Sequence, residues 1–128
     1  MLKLNRIHHI AIICTDYQKS KHFYTEILGL NIVREVYREQ RDSYKLDLEV
    51  AGQYQVELFS FPYPPARPSR PEALGLRHLA FEVDDIDAAL KHLKGKVQIS
   101  EEIVIPGWRR FSFYDPFGNR IELLQILK

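Results

Sequence analysis

Only one cysteine, Cys14, occurs in the 128 residues, so no disulfide can form within the chain and stability must come from a packed core. Long apolar runs are missing too: none approaches the roughly 20 residues that cross a bilayer. The stretch from Ile10 to Cys14 is short and follows two histidines, which is not a signal-peptide pattern. A reducing, cytoplasmic setting is therefore expected. Charge of one sign is also lacking, with 18 Lys and Arg against 17 Asp and Glu and a formal charge of +1. Nucleic acid and membrane are not expected partners, and any electrostatic preference must be local. What is present is apolar surface. Hydrophobic side chains make up 45% of the chain, enough for one compact domain, or two small modules sharing a core, with room for a cavity.

The chain is written twice. Ile7-His8-His9-Ile10-Ala11-Ile12 corresponds to Leu76-Arg77-His78-Leu79-Ala80-Phe81, each with the alternation of a strand. Seven residues after the matching histidines stand Asp16 and Asp85, side chains suited to capping a helix start. The helices that follow carry apolar residues at helical spacing and are expected to stop at Gly29 and Gly95. Strands are then expected at about 32–38, 44–50 and 54–61, with Ala51-Gly52-Gln53 as a hairpin turn, and again at about 97–105, 109–114 and 120–126, with Asp115-Pro116-Phe117-Gly118-Asn119 as the matching turn. The order is βαβββ twice: module one at about 5–61, a Pro-rich linker at 62–75, and module two at about 76–126. The linker reads as a stiff spacer or as a flap over a pocket.

Each module supplies a histidine on its first strand and a glutamate on its last, in Val56-Glu57-Leu58 and Ile121-Glu122-Leu123. A carboxylate flanked by core residues needs a partner that offsets its desolvation. Two histidines and two glutamates can meet that need together around one divalent metal ion, and imidazole with carboxylate suits nickel, cobalt, zinc, iron or manganese. Strand alternation decides between His8 and His9. Leu79, Phe81 and Val83 form the face that meets a helix, which puts His78 on the other side and, by correspondence, selects His9; His8 aligns with Arg77 and is expected at the rim or behind a ligand, in support of it. His22 and His92 fall on helices and are expected to be exposed, whereas Cys14 is expected to be buried. Phe59, Phe61, Phe111 and Phe113 read as core, with cavity lining the alternative.

Several of these segments together, His9-Ile10-Ala11-Ile12, Asp16, Phe23-Tyr24-Thr25-Glu26-Ile27-Leu28-Gly29-Leu30, Val56-Glu57-Leu58, Arg77-His78-Leu79-Ala80-Phe81 and Asp115 to Glu122, resemble the vicinal oxygen chelate superfamily, in particular its short glyoxalase I-like branch. The Pro-rich linker and Arg41-Asp42-Ser43-Tyr44-Lys45 look like those of the YaeR-type subgroup. The resemblance implies an α+β fold in which two βαβββ modules form a curved, mixed eight-stranded sheet around a metal-bearing cup, as a single domain spanning 1–128. It implies a homodimer, with the modules of one cup drawn from one chain or from two. It assigns His9, Glu57, His78 and Glu122 to the four ligand positions of one divalent metal ion, and Glu122, with Glu57 as its counterpart, to proton transfer.

The glutathione-dependent members carry an arginine four residues after the first histidine and an asparagine four residues after the first glutamate. Here Ile13 and Phe61 stand at those places, so metal-assisted lyase or isomerase chemistry on another small oxygenated substrate, anionic or a thiol adduct, is expected ahead of lactoylglutathione lyase activity. A bleomycin-resistance-like binding protein, a thiol transferase and a dioxygenase are the competing classes, and an intact set of four ligands weighs against each. Lys45, Arg67, Arg70, Arg109 and Arg110 offer rim charge, and Lys45, Arg70 and Trp108 are the leading substrate contacts.

Overall fold

A computed structural model describes residues 1–68 and 71–128, and the chain divides into two compact units, Met1–Pro65 and Ala66–Lys128. The boundary falls inside the expected linker. The first unit comprises β1 (Ile10–Cys14), α1 (Tyr17–His22), β2 (Asn31–Arg38), β3 (Ser43–Val50) and β4 (Gln53–Ser60). The second repeats that order with β5 (Leu79–Glu82), α2 (Ile86–Leu93), β6 (Ile103–Ile105), β7 (Trp108–Tyr114) and β8 (Arg120–Ile126). The eight strands form two four-stranded mixed sheets, ordered β1-β4-β3-β2 and β5-β8-β7-β6. In each, the first strand lies parallel to the last and the remaining pairs are antiparallel.

Alternation gives each sheet one helix-facing side. In β1, Ile12 and Cys14 are buried while Ala11 and Ile13 are exposed. Leu58, Leu46, Val56 and Leu48 extend that apolar side across the sheet, and Tyr17, Phe23 and Tyr24 complete the core of the first unit. The equivalent side of the second sheet carries Phe111, Phe113, Ile121 and Leu123 with Ile86 and Leu93 of α2. Both helices start as expected. Asp16 accepts from the Lys19 amide at 3.2 Å, and Asp85 accepts from the Ala88 amide at 3.1 Å.

Three local details depart from the sequence reading. After His22 the first helix widens into a π-helical turn, Phe23–Ile27, closed by Leu28 N–H donating to the Phe23 carbonyl at 2.9 Å. The Thr25 hydroxyl donates to the Lys21 carbonyl at 2.6 Å, competing for the acceptor that an ordinary helical turn would use. The strand expected at 97–105 is regular only over Ile103–Ile105. At Ser100 the ladder is interrupted because the Ser112 amide donates to Ser100 Oγ at 2.8 Å instead of to a main-chain carbonyl. His9 and His78 each stand one residue before their strands, β1 and β5. Among the described residues, no helix is long and apolar enough to cross a membrane.

Candidate metal and substrate site

Each unit builds the same pair at the same place. Glu57 on β4 lies in register with Ala11 of β1, and Glu122 on β8 lies in register with Ala80 of β5. Paired residues project to one side of a sheet, so both glutamates occupy the side away from the helix. They are nonetheless buried, with 7% and 3% of their surfaces exposed. In the first unit His9 Nε2 is 3.4 Å from Glu57 Oε2, and in the second His78 Nε2 is 3.2 Å from Glu122 Oε2. The histidines remain partly open, their side chains 40% and 26% exposed.

The donor set suits a divalent ion of the zinc, nickel or manganese kind. Two ligands each about 2.1 Å from one cation, at angles between octahedral and tetrahedral, lie roughly 3.0–3.4 Å apart, and both histidine–glutamate separations fall in that range. Among the described residues no cluster of three or more potential ligands is formed; they occur as pairs. His8 lies against His9: its Nδ1 is 2.8 Å from His9 Nδ1, so one ring donates and the other accepts. When His9 Nδ1 donates, its Nε2 carries the lone pair a metal requires. Arg77 NH1 lies 3.3 Å from His78 Nδ1 and donates to it when that nitrogen carries the lone pair.

The carboxylates are held differently. Tyr54 donates its hydroxyl to Glu57 Oε2, and Lys45 Nζ stands 3.1 Å from Asp47 Oδ1 and 3.9 Å from Glu57 Oε2. Burial, followed by its hydrogen bonds to Glu57 and Asp47, pushes the Tyr54 phenol well above its ordinary pKa. In the second unit Arg110 NH1 reaches Glu122 Oε2 at 3.4 Å, and the guanidinium sits 5.7 Å from the Trp108 ring centroid. Trp108, Arg110 and Ser112 alternate along β7, and Ser112 pairs with Glu122, so Trp108 shares the glutamate's side of its sheet.

Of the leading substrate contacts, Lys45 is thus beside Glu57 and Trp108 is two steps along the Glu122 side, whereas Arg70 lies outside the described residues. Arg109 turns the other way and binds Asp87 and Glu102 at 2.8 and 2.6 Å. Arg67 donates to the Leu76 carbonyl at 2.6 Å and, with Arg77, Tyr114 and Arg120, lines a recess in the second unit. Phe111 and Phe113 are core, but Phe59 and Phe61 belong to the Glu57 side. Two members of the site escaped the sequence reading. Asp47 stands between Leu46 and Leu48, the same signal that marked Glu57 and Glu122. Tyr54 carries no such signal.

The sequence and the fold have relatives. YaeR of Escherichia coli (strain K12), an uncharacterized protein, is 58% identical over 98% of this chain and 99% of its own length. YwkD of Bacillus subtilis (strain 168), likewise uncharacterized, is 52% identical over 95% of this chain and 98% of its own. The crystal structure of a glyoxalase family protein from Enterococcus faecalis superposes with a TM-score of 0.83 at 41% identity, covering 93% of this chain and 96% of that one. A family model matches residues 6–123, nearly the whole repeat, and the chain belongs to the Glyoxalase/Bleomycin resistance protein/Dioxygenase superfamily.

Proposed function

We propose that the protein is a metal-dependent, glyoxalase I-like lyase or isomerase that moves a proton on a small, oxygenated, anionic substrate. The observation that carries this reading is the doubled pair: a buried glutamate facing a histidine Nε2, at 3.4 and 3.2 Å, in corresponding positions of both units. Neither pair alone supplies the three or four protein ligands that zinc-type sites use. His9, Glu57, His78 and Glu122 together do, and they are proposed to hold one divalent cation. When bound, that cation polarises a substrate carbonyl and makes the neighbouring C–H more acidic. The chain's own residues then do the rest. Glu122, with Glu57 as its counterpart, removes the proton from one carbon and returns it to the next. Tyr54 and Lys45 fix Glu57, and Arg110 fixes Glu122, so each carboxylate is aimed before substrate arrives. On this reading the protein works in the cytoplasm as a homodimer whose partner is a small molecule.

Metal content of protein purified without added metal, followed by turnover of methylglyoxal with several thiols, tests the proposal. Bound metal in the parent and its loss in a Glu57→Gln, Glu122→Gln double variant are the expected results. A metal-free parent, or unchanged metal affinity in the double variant, overturns the reading. Bound metal without turnover of any thiol adduct removes glyoxalase I activity and leaves the wider lyase or isomerase class.

A further inference from the structure

Register brings the far end of β2 onto the side of the sheet that carries Glu57. Phe59 pairs with both Ile13 and Lys45, Glu57 with Ala11 and Asp47, and Ser43 with Arg38. Arg38, Ser43, Lys45, Phe59 and Glu57 therefore share one side, opposite the core residues Leu46 and Leu58. The Arg38 guanidinium carbon lies 4.9 Å from the Phe59 ring centroid and 5.8 Å from that of Phe61. These two rings are nearly parallel, 7° between planes and 6.3 Å between centroids. Lys45 Nζ is 5.9 Å from the same Phe59 centroid. Two cations thus meet over one aromatic floor beside the glutamate.

Their charges are not equally matched. Lys45 is answered by Asp47 at 3.1 Å, and in the other unit Arg109 and Arg110 each face carboxylates. Arg38 donates NH2 to the neutral Ser43 hydroxyl at 2.9 Å, its Nε finds no acceptor, and among the described residues no carboxylate lies within ion-pair reach. Fixing an arginine costs side-chain entropy. The aromatic faces offset part of that cost and orient the guanidinium while making no demand on its N–H donors. Such a group is ready for a forked, two-point contact with an oxyanion.

We propose that Arg38, with Lys45 beside it, forms the subsite that holds the anionic end, a carboxylate or a phosphate, of the substrate handled at Glu57. The proposal rests on the functional reading above for the identity of the ligand as substrate, but the anion subsite is testable without metal. The measurement is a backbone-amide NMR titration of the full chain, stripped with chelator, using inorganic phosphate in one arm and acetate in the other. Phosphate or acetate is expected to shift the amides around Arg38, Ser43, Lys45 and Phe59, and whichever anion binds more tightly identifies the class. Arg38→Gln should weaken that binding at least tenfold with the remaining spectrum unchanged, and Arg38→Lys should retain part of it. Shifts that map instead to the recess of Arg67, Arg77 and Arg120, or binding that Arg38→Gln leaves intact, would overturn the proposal. Anion binding at Arg38 in a protein that never takes up metal would remove the metal reading and keep the subsite. Metal uptake without anion binding at Arg38 would do the reverse.

Discussion

Glu57 and Glu122 are legible in the sequence because a carboxylate inside an apolar strand must be answered by something, and at matching places each is met by a histidine, His9 and His78. Tyr54 is not legible, for a reason of parity. Residues three apart on a regular strand point to opposite sides, yet Tyr54 reaches Glu57 because the β3–β4 register shifts between Leu48 and Glu49, adding one residue to β4 and turning Tyr54 over. Arg38 is hidden likewise, since its place depends on which β3 residue it meets. Removing the Tyr54 hydroxyl leaves buried Glu57 Oε2 short of a donor. Tyr54→Phe should weaken metal binding about tenfold in chelator competition while the fold persists. A second carboxylate responds to pH. The hydrogen bonds from Lys21 and then Tyr17 hold Glu35 below the usual carboxylate value of 4.5. Its pKa is lowered on folding, so its contribution to stability is present above 4.5 and lost as pH falls through the folded value. Glu35→Gln should therefore be less stable than the parent at neutral pH and converge with it as the pH falls below 4.5 and through the lowered folded value, as denaturant midpoints measured from neutral into acid would show.

At the level of elements, the sequence signals that worked are those with a local cause. Asp16 and Asp85 cap their helices, and Ala51 and Gly52 form a two-residue hairpin turn with φ of 50° and 80°. The signals that failed were overruled by side chains competing for main-chain partners: Thr25 at the widened helix and Ser100 at the shortened strand. The Asp115 turn shows the same competition working in the expected direction. Its Oδ1 accepts from the amides of Phe117 and Asn119 at 2.9 and 2.8 Å, and Oδ2 accepts from Asn119 Nδ2 at 2.8 Å, which fixes the approach to β8 and hence to Glu122. Ala51 is the weak position. Its left-handed backbone is unfavourable for a residue with a Cβ, and open space surrounds the turn at Gly52. Ala51→Gly should raise stability by about 0.5–1 kcal/mol in urea unfolding, with metal content unchanged. A decrease would show that the constraint Ala51 imposes on the unfolded chain outweighs the strain.

For the whole molecule, the division into Met1–Pro65 and Ala66–Lys128 makes the number of ions a decisive quantity. A cation present at 1,000 times its dissociation constant stabilises a folded chain by about 4 kcal/mol. If His9, Glu57, His78 and Glu122 serve one ion, Glu57→Gln alone and Glu122→Gln alone should each abolish the metal-induced rise in melting temperature. Two independent ions would instead leave about half of the rise in either single variant. The scarcity of particular residues supplies a way to watch such events unit by unit. The chain's one cysteine, Cys14, is buried in the first unit at 2% exposure, and its one tryptophan, Trp108, lies on β7 of the second. Thiol-reagent labelling of Cys14 proceeds only as fast as the first unit opens, whereas intrinsic fluorescence records the surroundings of Trp108. The native chain thus carries two reporters, one per unit, and distinguishes a single cooperative transition from sequential opening without any engineered probe.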